Sequence, residues 1–191
     1  MARELVYTGF MSLDGIVDSP GDVTEGHRSG GWVVRTPFVP EAFSLKADEL
    51  AETSAVMFGR RSYDLFAPVW PSSEDHAAYK ELPKYVVSGS LTEQELVADW
   101  GPIAILRSAE DVAELKRGDG GAIFIHGSAE LARRLSEADL IDRYNLLVFP
   151  VLLGAGKSVF SRADRDQQNL ALRESAGYSN GVTKLVYDVV R

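Results

Sequence analysis

Three stretches of this chain place small and basic residues directly after short apolar runs: Phe58-Gly59-Arg60-Arg61-Ser62, Val87-Ser88-Gly89-Ser90 and Ile125-His126-Gly127-Ser128. Such a run, closed by such a turn, reads as a buried strand handing over to a helix or loop. In open α/β sheets, ligands collect beyond the carboxyl ends of parallel strands. If these strands are neighbours, their turns form one rim suited to phosphate. Free N–H groups at a helix start attract anions. Gly59 and Gly127 allow close backbone approach. Arg60 and Arg61 can fork onto phosphate oxygens, and Ser62, Ser88, Ser90 and Ser128 add hydroxyls. One charged hydrogen bond contributes about 1.5–3 kcal/mol, which is roughly ten- to a hundredfold in affinity. Two adjacent arginines can therefore select a dinucleotide with an extra ribose phosphate, and the expected cofactor is NADPH rather than NADH. Taken singly, each turn reads as structural: glycine is common after a strand, Arg-Arg is usually a solvated face, and Glu130 puts a negative charge in the helix turn proposed for phosphate. The case rests on the three together.

Other chemistries find less support. No G-x-G-x-x-G follows the first apolar run. Leu153-Gly154-Ala155-Gly156-Lys157-Ser158 looks like a phosphate loop but lacks the first glycine at the required spacing, which argues against nucleotide triphosphate hydrolysis. No G-x-S-x-G elbow occurs. His27, His76 and His126 have no metal-ligand spacing, and with no cysteine present no metal is expected. The net charge of −8 argues against non-specific nucleic-acid binding. Without cysteines, an apolar leader or a membrane-length span, the expectation is a cytoplasmic protein with no membrane partner.

The elements that must position the rim follow from pattern. Leu5 to Phe10 reads as a first strand, and Ser12-Leu13-Asp14-Gly15 as a turn. Residues 18–37 read as a long surface loop of the kind that often serves as a lid. Pro40 to Glu52 has helical spacing, and Arg60 to Phe66 begins another helix. Strands are expected at Ala55–Phe58, Tyr85–Val87, Ile103–Leu106 and Ala122–Ile125, with helices starting at Ser108, a natural cap, and at Ser128. Tyr144 to Leu153 reads as one long strand, and Leu170–Ala176 with Val182–Val190 as an antiparallel hairpin. The expected fold class is α/β: residues 1–191 as a single domain with a mixed, mainly parallel sheet flanked by helices and antiparallel strands at the C-terminal end.

This order of motifs resembles the dihydrofolate-reductase-like fold, most closely the branch containing the reductase domain of bacterial riboflavin biosynthesis (the RibD C-terminal domain) and its stand-alone relatives. The resemblance is carried by Met11-Ser12-Leu13-Asp14-Gly15, Met57-Phe58-Gly59-Arg60-Arg61-Ser62-Tyr63-Asp64, Ile125-His126-Gly127-Ser128-Ala129-Glu130-Leu131 and the segment from Asp142 to Phe160. It implies NADPH as hydride donor and a small heterocycle as acceptor. Gly59 to Ser62 would hold the adenosine-side phosphates, and Ser88 and Gly89 would lie near the adenine ribose. Gly127 to Leu131, with Ser128, Ala129 and Glu130 between, would cradle the pyrophosphate, and Val17 would lie against the nicotinamide. His126-Gly127 stands where dihydrofolate reductases usually carry Gly-Gly, often with a cis peptide, so a cis bond here is a hypothesis. Glu41 is the nearest counterpart of the folate-binding acid, whereas the riboflavin branch points to Asp14.

Asp14 thus has two readings, a catalytic and substrate-side acid or a turn residue bonding its own backbone. Trp32, Phe66 and Trp70 can stack on a planar substrate, although aromatics more often serve the core, and for Trp70 packing is preferred. His27, Arg28 and Arg35 are candidates for a second anion site. The expected function is an NADPH-dependent reductase acting on a pyrimidine or pterin, with the proton from water or through Asp14. A 5-amino-6-(5-phosphoribosylamino)uracil-like compound is one candidate among these substrates. The alternative is a non-catalytic nucleotide-binding module that retains the fold. A homodimer is expected, since the long apolar run from Tyr144 can pair with a partner and relatives are often dimers.

Overall fold

A computed structural model of the protein describes residues 2–160 and 167–191. One eight-stranded sheet runs through it: β1 (Leu5–Ser12), β2 (Thr53–Gly59), β3 (Lys84–Val87), β4 (Ile103–Leu106), β5 (Ala122–His126), β6 (Arg143–Phe149), β7 (Asn169–Gly177) and β8 (Thr183–Val190). Their order is β4-β3-β2-β5-β1-β6-β8-β7. Every pairing from β4 through β6 is parallel, and β6-β8 and β8-β7 are antiparallel. The helices are α1 (Trp32–Arg35), α2 (Ser44–Glu52), α3 (Arg60–Phe66), α4 (Ala109–Arg117) and α5 (Ala129–Glu137), with short 3₁₀ turns between.

Side-chain alternation sets the layers. In β2, Ala55 and Met57 join Ile123, Ile125, Val112 and Leu131 on one face. Val56 and Phe58 join Trp70, Val86 and Trp100 on the other. Both sets are fully buried or nearly so, as parallel strands covered on both faces require. A one-residue slip would exchange the two sets, so the packing fixes the register.

Several boundaries differ from the sequence expectation for identifiable reasons. The predicted helix at Pro40–Glu52 opens with a 3₁₀ turn, Pro40–Phe43, before α2 begins. The strand expected to reach Leu153 stops at Phe149, because Pro150 has no N–H to continue a ladder. Leu152, beyond it, is largely exposed. Residues 18–37 are mostly loop, as expected, with one 3₁₀ turn and the four-residue α1 within them.

The strand lengths create a notch. β5 lies between β1 and β2, and its last residue, His126, pairs with Thr8. β1 runs four residues further, to Ser12, against β6. β2 likewise continues from Met57, opposite Ile125, to Gly59. The chain fills β2, β3 and β4 outward before returning to insert β5, so connections diverge at this point and open a crevice.

Candidate functional site: the cleft above β5

A cleft of about 890 Å³ lies over the carboxyl ends of β1, β2, β3 and β5, lined by all three turns singled out in the sequence. Its size falls in the range usual for small-molecule and cofactor sites, roughly 300–1,000 Å³.

The Gly59 and Gly127 turns are tied together at the cleft floor. The Gly59 N–H donates to Ser128 Oγ at 2.8 Å, and the Ser128 N–H donates to Ser62 Oγ at 2.9 Å. Ser128 Oγ in turn donates to the His126 carbonyl at 3.1 Å. The Ser128 hydroxyl is thus used within the fold; it aligns the two turns instead of waiting for a ligand. Ser128 itself is left-handed (φ 58°) and caps nothing with its side chain, so no side chain closes the first turn of α5. Helix α4 differs: Ser108 Oγ accepts the Asp111 N–H and Asp111 reciprocates, closing its start. Of the three helix starts on this cleft, α3 and α5 have no side-chain cap, and uncapped amide groups suit an anion. Glu130, at that turn, is drawn back along the helix by Arg133 and Arg134 at 2.7 and 2.9 Å, which hold its carboxyl below the usual range. The glycines leave the space that the turns need. A Cβ on Gly127 would come within 3.2 Å of Ser62 Oγ, at a left-handed φ of 59°, and one on Gly59 would meet Leu131 at 3.4 Å.

At the outer end, Ser88, Gly89 and Ser90 line the cleft beside Arg60 and Arg61. Arg60 is already engaged: Nε donates to Asp64 at 2.9 Å and Nη2 to Glu95 at 2.7 Å. Arg61 Nη2 donates to the Glu25 carbonyl at 2.6 Å, tying α3 to the long loop. Arg107, the residue after β4, which no sequence motif marks, lines the same end and donates from Nη1 to the Ser88 and Leu91 carbonyls at 2.8 and 2.7 Å.

At the inner end stands a second group absent from the sequence reading. The carboxylate of Glu49, 1% exposed, accepts from Thr8 Oγ1 at 2.7 Å, from Asn145 Nδ2 at 2.9 Å and from Lys46 Nζ at 3.1 Å. Lys46 Nζ also donates to Thr8 Oγ1 and sits 5.3 Å from the centre of the Phe10 ring. Thr8 and Lys46 line the cleft; Glu49 stands behind them. Across from them Trp70 stacks on Phe66 and His76, with centroids 4.8 and 4.2 Å apart, and Tyr79 meets the His126 ring edge-on at 5.3 Å. Part of His126 lines the cleft, while its Nε2 is sealed from water without a hydrogen-bond partner. Burial first, then the charges of Lys46 and His76, push the His126 pKa down to about 3, so the ring is neutral at pH 7. A spacing of i and i+3 on α2 was the only available sequence signal for Lys46 and Glu49, and it reads equally as a solvated helix face.

The structure corrects three expectations. Asp14 does not line the cleft. It accepts the Leu153 and Gly154 N–H groups, the latter at 2.7 Å, and the Ser12 hydroxyl at 2.6 Å. Those bonds, Ser12 first, lower its pKa to about 2. A carboxylate held ionised this firmly is a poor proton donor at neutral pH, and its bonds run to the loop after β6. Trp32 is 2% exposed and packs edge-on against Phe149 at 5.4 Å, with its indole N–H given to the Asp18 carbonyl at 2.9 Å; it is core. The His126-Gly127 peptide is trans. Val17 lines the cleft, with Asp18 and Lys157 paired beside it at 2.9 Å. Glu41, His27, Arg28 and Arg35 lie outside the lining. His27 and Arg35 are occupied in holding the loop, through the carbonyls of Ala155, Ser29 and Gly30. Among the described residues no three His, Asp or Glu side chains form a metal-binding group, and no helix is long and apolar enough to cross a membrane.

This sheet order, with its cleft at the end of β5, defines a dihydrofolate-reductase-like domain. Dihydrofolate reductase from Enterococcus faecalis, solved with NADP(H), matches it with a TM-score of 0.61 at 11% identity, covering 98% of this chain and 97% of that one. A Shewanella sp. PV-4 protein assigned to riboflavin biosynthesis matches with a TM-score of 0.75 at 21% identity over the whole of both chains. In sequence, the uncharacterized Bacillus subtilis protein YyaP is 28% identical over 192 aligned positions, 97% of this chain and 94% of its own. Residues 3–184 match the RibD C-terminal domain family, and the chain belongs to that family.

Proposed function

We propose that the protein is an NADPH-dependent reductase acting on a small heterocycle of the pyrimidine or pterin type, such as a 5-amino-6-(5-phosphoribosylamino)uracil-like compound. The observation that carries this reading is the uncapped start of α5, set beside two glycine turns clasped by Ser62 and Ser128 on one elongated cleft.

The residues fit a dinucleotide. The α5 amides from Ala129 to Leu131 suit the pyrophosphate, and Gly127 keeps the approach clear. Ser88, Gly89 and Ser90 offer hydroxyls and open backbone to the adenosine side. Val17, Gly9 and the end of β1 form the wall for the nicotinamide side. When bound, the reduced nicotinamide supplies the hydride. Trp70, Tyr79 and His76 form an aromatic wall for a planar ring. Lys46, fixed by Thr8 and Glu49, holds a donor N–H at the inner end and can stabilise or protonate an electron-rich substrate atom there. The chain's chief contribution is to hold two flat reactants together, and such positioning can supply about 7–11 kcal/mol.

Titrating the protein with NADPH while following cofactor fluorescence tests the first step. Following cofactor absorbance with 5-amino-6-(5-phosphoribosylamino)uracil and dihydrofolate tests the second. Saturable binding with oxidation by one compound supports a reductase. Binding without oxidation of either favours a binding module that retains the fold.

A further inference from the structure

The cations of the outer cleft are not equivalent. Arg60 is neutralised on site by Asp64 and Glu95. Glu95 is itself fixed there, since the Thr92 N–H and hydroxyl each donate to it at 2.8 Å. A phosphate approaching Arg60 meets two carboxylates and must displace or face both. Arg61, likewise without a carboxylate partner among the described residues, is turned to the long loop, where Nη2 donates to the Glu25 carbonyl.

Arg107 is arranged differently. Its Nη1 is anchored by the carbonyls of Ser88 and Leu91, which hold it without cancelling its charge. Among the described residues no carboxylate lies within ion-pair distance of its guanidinium. The nearest acid in sequence, Asp111, is directed at the backbone N–H groups of Arg107 and Ser108, at 2.6 and 3.2 Å. The anchoring also fixes the side chain before any ligand arrives, so less rotamer entropy is lost on binding. Ser88, Ser90 and Ser108 line the same wall.

We infer that Arg107, not Arg60, reads the phosphate on the adenosine ribose and sets the preference for NADPH over NADH. The inference rests on the reductase reading of the cleft. A charged, forked bond to phosphate is worth about ten- to a hundredfold in affinity, and Arg107 can give it without breaking an existing ion pair.

The test compares wild type, Arg107→Gln, Arg107→Lys and Arg60→Gln by calorimetric titration with NADPH, NADH and 2′,5′-ADP. Arg107→Gln is expected to weaken NADPH and 2′,5′-ADP by about ten- to a hundredfold and to leave NADH nearly unchanged. Arg107→Lys should recover part of the loss, because it keeps the charge and loses the fork. Arg60→Gln should affect NADPH and NADH alike. Equal losses for NADPH and NADH in Arg107→Gln would show a loop-supporting role only and overturn the assignment. So would an NADPH-selective loss confined to Arg60→Gln. A wild type that binds both cofactors equally overturns it while leaving the nicotinamide reading standing; a wild type that binds neither removes both.

Discussion

Ser62 and Ser128 are joined across the cleft floor: the backbone N–H of Ser128 donates to Ser62 Oγ at 2.9 Å, locking the start of α3 to the start of α5. Together with the Gly59 N–H donating to Ser128 Oγ at 2.8 Å, this bond ties the two turns side by side on the cleft floor. Ser62→Ala removes the acceptor and leaves a partly buried N–H unpaired, at a cost of about 1–3 kcal/mol. Urea unfolding is expected to show that loss, and NADPH affinity should fall with it. A Ser62→Ala protein with unchanged midpoint and unchanged NADPH affinity would remove the clasp from the account.

Asp14 is bonded to the loop after β6 and stands outside the cleft lining. Asp14→Ala should lower stability by about 1 kcal/mol and leave NADPH affinity within about twofold. Its linkage has the sign of a depressed carboxylate. The stabilisation is complete above its ordinary pKa of 3.8 and is lost as pH falls through about 2. A carboxyl titration followed by NMR reads this directly; an Asp14 titrating near 4 would contradict the bonding to Leu153 and Gly154.

His126 gives the opposite case, a base whose pKa is depressed from 6.5 to about 3. The unfolded chain takes up a proton below about pH 6.5 that the folded chain refuses. Stability from this group is therefore complete above pH 6.5 and is lost as pH falls toward 3. His76, shifted down chiefly by burial, adds in the same direction. His126→Phe should flatten the dependence of the urea midpoint between pH 6.5 and 4.5. An unchanged slope would mean that the ring is protonated in the fold.

Lys46 separates the two ends of the cleft. Lys46→Met keeps the aliphatic stem beside Phe10 and removes the cation. NADPH affinity should hold within about twofold, while turnover should fall by at least about tenfold, the low end for a lost proton-transferring group. The same variant leaves Glu49 short of one donor, so its unfolding midpoint must be measured alongside. A full loss of folding would assign Lys46 to the buried network instead of the cleft.

The glycine turns at the cleft floor were legible in the sequence because they are built from local pattern. An apolar run ending in Gly-Arg-Arg-Ser or His-Gly-Ser announces a strand end wherever it lies, and the parallel register then brings Gly59 and Gly127 together. The Asp-Gly turn at Asp14 was equally local, and its structural reading was available beside the catalytic one. Trp32 was not legible, because its partners, Phe149 and the Asp18 carbonyl, are set by the path of a long loop. Lys46, Glu49 and Arg107 were missed for a related reason. A lysine and a glutamate three apart on a helix look like a solvated pair, and only the placement of α2 over Thr8 and Asn145 makes them a buried network. Arg107 follows β4 without a glycine or paired arginine to mark it, and its anchors, Ser88 and Leu91, lie 16 to 19 residues away.

The most direct measurement is an NADPH titration of the intact protein, followed by cofactor fluorescence. The account predicts one saturable site per chain, tighter for NADPH than for NADH. It also predicts weakening when Gly127→Ala puts a Cβ at the left-handed position against Ser62. No binding at millimolar NADPH would contradict the assignment of the cleft above β5 to a dinucleotide.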